Sequence, residues 1–159
     1  MSSAIAKLHE LGQSPWYDNI TRAMVEGDGL AALVRDDGIR GVTSNPTIFE
    51  KAMAAGEGYD EQLLELHGSG ASTEEAFWSL VVDDIAAAAE ILRPVYEESG
   101  ASDGYVSVEV SPRLAHDTDA TVAQARELFA RIGHPNVMIK IPATLAGLPA
   151  ITEIGRAHV

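Results

Sequence analysis

No cysteine occurs in the 159 residues, which excludes disulfides, thiolate metal sites and cysteine nucleophiles. Lysine is almost as scarce, being limited to Lys7, Lys51 and Lys140. Eleven basic residues face 24 acidic ones, and the formal net charge of -13 argues against nucleic acid or an anionic membrane as partner. Small anionic substrates stay open, because a few arginines can set the local sign. No apolar run approaches the ~18 residues of a membrane span. The opening MSSAIAKLHELGQS lacks the long apolar core and small-residue cleavage site of a signal peptide. A soluble cytoplasmic protein is the expectation. At 46% hydrophobic and 22% charged residues, the composition suits one globular domain with a sizeable core.

Against this background Lys140 stands out, because it interrupts the apolar run VMIKIP. Val137, Met138, Ile139 and Ile141 read as a buried parallel strand, apolar on both faces. An ammonium group there is costly unless it is paired, or neutral and put to use. Desolvation lowers a lysine from its usual ~10.4, and a neutral amine attacks carbonyls to form a Schiff base. The bland alternative is a lysine snorkelling from a strand end.

The remaining pattern alternates strands and helices. Ala4 to Leu11 suits a short helix, and Trp16-Tyr17-Asp18 a brief strand. Thr21 to Asp37 has helical spacing interrupted by Gly27 and Gly29, and Gly38 closes it. Ile39 to Ser44 reads as a strand, and Asn45-Pro46 opens a helix with proline in its first turn. Helical stretches at Thr47–Ala55 and Asp60–His67 precede a long helix starting at Ser72-Thr73-Glu74-Glu75, which has capping chemistry, and ending near Glu98. Tyr105 to Val110 is a third strand. Thr118 or Asp119 caps a helix to Ile132, and Asn136 to Ile141 is the fourth strand. This order argues a parallel sheet with crossover helices.

Parity then sorts the strand residues, since equal parity means one face. Val106, Val108 and Val110 oppose Ser107 and Glu109. Val137, Ile139 and Ile141 oppose Met138 and Lys140. Gly41, Thr43 and Asn45 oppose Val42, and Trp16 with Asp18 opposes Tyr17. Each strand has one face fit to pack under helices, and another carrying Asp18, Asn45, Glu109 or Lys140 near its C-terminal end. In a (β/α)-barrel that face points inward, and its C-terminal rim holds the active site. Singly, each residue has a plain reading as a cap, a turn residue or a solvated strand face. Together they supply a nucleophilic amine and carboxyl groups to move protons, the parts of an amine-based carbonyl reaction. Parity allows their convergence without demonstrating it.

GVTSNPTIFEKA (Gly41 to Ala52), VSVEVSPRLAHDTDATVAQA (Val106 to Ala125) and VMIKIPATLAGLPAI (Val137 to Ile151) resemble transaldolase, as does the spacing of WYDNITR (Trp16 to Arg22). The style is that of the longer, actinobacterial-type enzymes, and the resemblance extends to about Glu153. It implies a (β/α)8 TIM barrel of the class I aldolase type. It also implies transfer of a dihydroxyacetone unit from sedoheptulose 7-phosphate or fructose 6-phosphate to an aldose phosphate, in the pentose phosphate pathway. By this resemblance Lys140 is the Schiff-base lysine, and Glu109 handles protons through a bound water. Asp18 takes the C4 hydroxyl proton during carbon–carbon cleavage, and Asn45 binds the dihydroxyacetone part. No cofactor or metal is implied, because the protonated imine is itself the electron sink. The full-length enzyme is open to homo-oligomer formation and, in some relatives, to fusion with a phosphoglucose isomerase domain.

Other positions carry weaker expectations. Thr43 shares Asn45's parity and can line the pocket, although a β-branched strand residue is its simpler reading. Arg113 can steer anions or orient Glu109, or serve in an ion pair. His116, in an HDTD turn, reads as a surface or capping residue. A complete barrel needs ~250 residues, so the expectation is a barrel truncated to about its first four β/α units, inactive alone. Residues 1–153 form that half. IGRAHV (154–159) leaves the family pattern and can be encoded by a string resembling a sequencing adapter, so it is read as a non-native tail. The rival readings are a fructose-6-phosphate aldolase-like lyase and a non-catalytic α/β phosphate-binding module.

Overall fold

The computed structural model describes residues 4–56 and 58–156. Four short strands lie side by side in chain order, all parallel: β1 (Trp16–Tyr17), β2 (Gly41–Thr43), β3 (Tyr105–Glu109) and β4 (Val137–Lys140). Helices connect them. α1 (Ala4–Glu10) precedes β1, and α2 (Arg22–Glu26) and α3 (Gly29–Ala32) lie between β1 and β2. α4 (Pro46–Ala54), α5 (Asp60–Gly68) and the 26-residue α6 (Thr73–Glu98) link β2 to β3. α7 (Thr118–Ile132) links β3 to β4, and α8 (Gly147–Arg156) follows.

Local chemistry explains the boundaries. The stretch expected as one interrupted helix breaks at Gly27, and α3 runs into a π-helical turn at Leu33–Asp37 before Gly38 closes it at φ 76°. Asn45 caps α4, its side chain accepting from the Ile48 amide at 3.0 Å, with Pro46 next. Ser72 and Glu75 form a reciprocal capping box on α6. One expectation is corrected: α7 is capped by Asp117, which accepts from Ala120 N at 3.0 Å, and not by Thr118 or Asp119. Thr118 instead donates to Ala146 O at 2.6 Å, tying the start of α7 to the loop after β4. Ile154 packs on the core and Arg156 ends α8, whereas residues 157–159 of the suspected tail lie outside the described residues.

The main core lies on one side of the sheet. Val42, Val106, Val108 and Val137 are at most 4% exposed and meet Val81, Ile85, Ala88 and Leu92 of α6 and Ala125, Leu128 and Ile132 of α7. Such fully buried side chains contribute roughly 1.5–3 kcal/mol each. Inside α6, Asp84 is fully buried. Arg22 Nε contacts its carboxylate, and the Tyr59 hydroxyl donates to it at 2.7 Å. The same Tyr59 oxygen accepts from Arg22 N at 3.0 Å, and the guanidinium lies 4.9 Å from the Tyr59 ring centre. Burial pushes Asp84 up from the usual carboxylate range while Tyr59 and Arg22 pull it back, and burial likewise pushes the Tyr59 phenol up. The cluster fastens α2 and the turn before α5 to α6.

Candidate active site

The strand register turns the parity argument into geometry. Gly41 pairs with Tyr105, Thr43 with Ser107, Ser107 with Met138, and Glu109 with Lys140. In parallel strands paired residues face the same way, so Thr43, Ser107, Glu109, Met138 and Lys140 share the face opposite the valine core. Trp16 pairs with Gly41 on that face. A side chain on Gly41 would collide with the Trp16 indole, so glycine lets the ring lie flat against the sheet.

Near the C-terminal ends of the strands the polar groups meet in pairs. The Lys140 ammonium contacts a Glu109 carboxylate oxygen. One strand pair away, Thr43 Oγ1 donates to Asp18 Oδ1 at 2.6 Å, joining β2 to the end of β1. Asp18, Asn45 and Glu109 line one cleft of about 610 Å³, with Pro46, Thr47, Ile48, Lys51 and Pro112. Because the Asn45 carbonyl caps α4, its Nδ2 is left as a donor on the cleft wall. Asn45 is thus both the turn residue of the plain reading and a wall of the cleft.

Two expectations change. β4 is not buried on both faces: Met138 is 43% exposed and the Lys140 side chain 58%. Its inner face looks over open space instead of strands on a far side, so pairing with Glu109 takes the place of the expected burial. Arg113 sits apart from these residues, on a second cleft of about 530 Å³ between α4, α6 and the 3-10 turn Pro112–Leu114, beside Glu50, Glu74, Phe77 and Trp78. Among the described residues it makes no ion pair. His116 is exposed.

Lys51, not among the sequence-based candidates, joins the cleft through helical spacing, since Thr47, Ile48 and Lys51 lie on one face of α4. Ser107, set beside Glu109 by parity, is 4% exposed on the inner face, and its hydroxyl has no partner among the described residues.

A family model described as Transaldolase/Fructose-6-phosphate aldolase matches residues 15–159. The chain belongs to this transaldolase/fructose-6-phosphate aldolase family. The match runs through 154–159, the segment that the sequence reading sets apart. The chain is 52% identical over 153 residues to "Transaldolase 1" of Streptomyces coelicolor, covering 96% of this chain and 40% of that protein. It is 51% identical over 152 residues to "Transaldolase" of Thermobifida fusca, covering 96% and 41%. "Transaldolase 2" of Nostoc sp. is 48% identical over 150 residues, covering 94% and 39%. The chain therefore spans about 40% of the length of these curated relatives. Its fold is that of a truncated (β/α)8 barrel: four consecutive parallel strands of the eight a complete barrel holds. Among the described residues no helix is long and apolar enough to cross a membrane.

Proposed function

We propose that the protein, at the length of its relatives, transfers a dihydroxyacetone unit between sugar phosphates through an imine on Lys140, and does so in the cytoplasm. The contact between Lys140 and Glu109 carries this reading, together with the shared cleft of Glu109, Asn45 and Asp18. The Lys140 ammonium passes a proton to the Glu109 carboxylate it touches, and the amine so formed adds to the C2 ketone of the donor. Glu109, next to that nitrogen, delivers the proton with which the carbinolamine hydroxyl leaves as water. Asp18 accepts the C4 hydroxyl proton as the C3–C4 bond breaks, and the electron pair of that bond flows into the iminium to give an enamine. Addition of the enamine carbon to an acceptor aldehyde, then hydrolysis, returns the lysine. Asn45, on the cleft wall, holds a hydroxyl of the bound three-carbon unit through Nδ2. Thr43 acts by holding Asp18, and Arg113 is assigned to substrate contact from the neighbouring cleft.

The test is reductive capture. Borohydride added with fructose 6-phosphate should leave a covalent adduct on the peptide containing Lys140, and Lys140→Met should abolish it. A folded protein that gives no adduct sinks the imine reading and leaves the phosphate-binding module. Because the matching family model names both transaldolase and fructose-6-phosphate aldolase, simple cleavage is the second reading. Product analysis with and without erythrose 4-phosphate, on protein of the relatives' length, separates transfer from cleavage.

A further inference from the structure

The reaction proposed for Lys140 leaves Ser107 without a task, although it sits in the middle of the inner face. The residue is 4% exposed, and its hydroxyl oxygen is buried with no partner among the described residues. A serine hydroxyl can donate once and accept twice, and burying it with none of these bonds made costs free energy. Its backbone is pinned as well. The Ser44 hydroxyl, on a residue only 1% exposed, donates to Ser107 O at 2.7 Å and ties this point of β3 to the end of β2. Asn136 Oδ1 is also buried and unpartnered among the described residues, but it lies before β4, at the end away from Lys140. There the Asn136 amide already bridges Ala89 O and Gly104 O.

The register partners of Ser107 do not supply a donor. Thr43 on β2 has already given its hydroxyl proton to Asp18, and Met138 on β4 brings a thioether, a weak acceptor with no proton to give. The next inner-face positions along the two strands are Glu109 and Lys140. Such a step is ~6.6 Å along a strand, within the swing of a flexible four-carbon stem. The lysine nitrogen is therefore the donor that can come to Ser107. Here it turns to Glu109, and with the side chain 58% exposed water is free to take its other N–H groups. A sugar seated on the amine displaces that water. We propose that Ser107 is a positioning residue for Lys140: with water displaced and a proton passed to Glu109, the Ser107 oxygen accepts one remaining N–H of the amine, which aims the nitrogen lone pair at the C2 ketone. No proton is transferred to or from the serine. The inference rests on the imine reading of Lys140 and adds to it the group that orients the nucleophile.

The test is Ser107→Ala in protein of the relatives' length, captured with borohydride and saturating fructose 6-phosphate. The Lys140 adduct should form ~10-fold or more slowly than in the unmodified protein. The sugar concentration giving half the maximal capture rate should stay within about twofold, as for an interaction made only on the way to the adduct. The thermal midpoint should not fall, because the substitution removes a buried hydroxyl that has no partner. The slowing should persist at alkaline pH, where the amine is already neutral, since the hydroxyl sets the direction of the lone pair and not the charge. Capture at the unmodified rate overturns the proposal. So does slowing that vanishes at alkaline pH, slowing that comes with a lowered thermal midpoint, or a raised half-saturation, which would put the hydroxyl on the sugar. If the unmodified protein itself gives no adduct, the imine reading fails and takes this inference with it. An adduct that forms equally fast in both proteins defeats this inference alone.

Discussion

Glu109 and Lys140 occupy paired positions on β3 and β4, and the Lys140 ammonium touches the Glu109 carboxylate. With the lysine side chain 58% exposed, such a pair contributes only ~0–1 kcal/mol to stability. In the proposed reaction its value lies in keeping a carboxyl group that can take up and return a proton against the nitrogen. Glu109→Gln should therefore leave the unfolding midpoint nearly unchanged while slowing adduct formation at Lys140 by ~100- to 10,000-fold. Thermal melts and timed borohydride quenches read the two effects separately.

Thr43 fixes Asp18 from the neighbouring strand. Thr43→Val removes the hydroxyl at nearly constant volume, so capture of fructose 6-phosphate at Lys140 should persist while release of glyceraldehyde 3-phosphate falls by ~10-fold or more. Thr43→Ser should restore release. Equal loss of capture and release in Thr43→Val would place the residue on the substrate instead.

Asp84→Ala should destabilise the fold by ~3–5 kcal/mol, because it leaves the buried Arg22 guanidinium with only the exposed Glu26 carboxylate, 3.9 Å away, and removes the acceptor of the Tyr59 hydroxyl. Urea unfolding followed by circular dichroism measures it. Paired with Arg22→Met, the loss should be smaller than the sum of the two single substitutions.

Gly104 has φ 81°, and a side chain there would strike the Tyr96 backbone. Gly104→Ala should cost about 2–4 kcal/mol, read by the same unfolding curves, with the strand β3 that follows losing exchange protection first.

Glu75 accepts from the Ser72 hydroxyl and backbone amide, which lowers its carboxyl from the usual value of 4.5. A depressed carboxyl stabilises above its unfolded value and loses that contribution as pH falls through the folded one. The amides opening α6 should gain exchange rate below about pH 4.5 faster in the wild type than in Glu75→Gln, which lacks the titrating group.

The inner face was legible because strand periodicity is strict: once β3 and β4 are located, the sides taken by Ser107, Glu109, Met138 and Lys140 follow. Strand ends were less so. Ile39, Arg40 and Ser44 read as strand, yet only Gly41–Thr43 pair, since pairing depends on where neighbours stop. α8 was missed, because GLPAI reads as the tail of an apolar motif and only packing of Ala150 and Ile154 marks one face as inward. Asp84 left a signal that was not used. It falls four residues from Leu80 and from Ala88, on the buried stripe of α6, where a charge demands a partner. That the partner is Arg22, 62 residues away, no local pattern could say. The exposure of Lys140 was likewise beyond reach, being set by what stands across from β4.

The indole of Trp16, lying on Gly41, covers the N-terminal end of the polar face. That makes the face one-ended: any residue with a β-carbon at position 41 would have to evict the ring, while the polar side chains gather at the opposite end, where Asn45, Lys51 and Glu109 line the cleft.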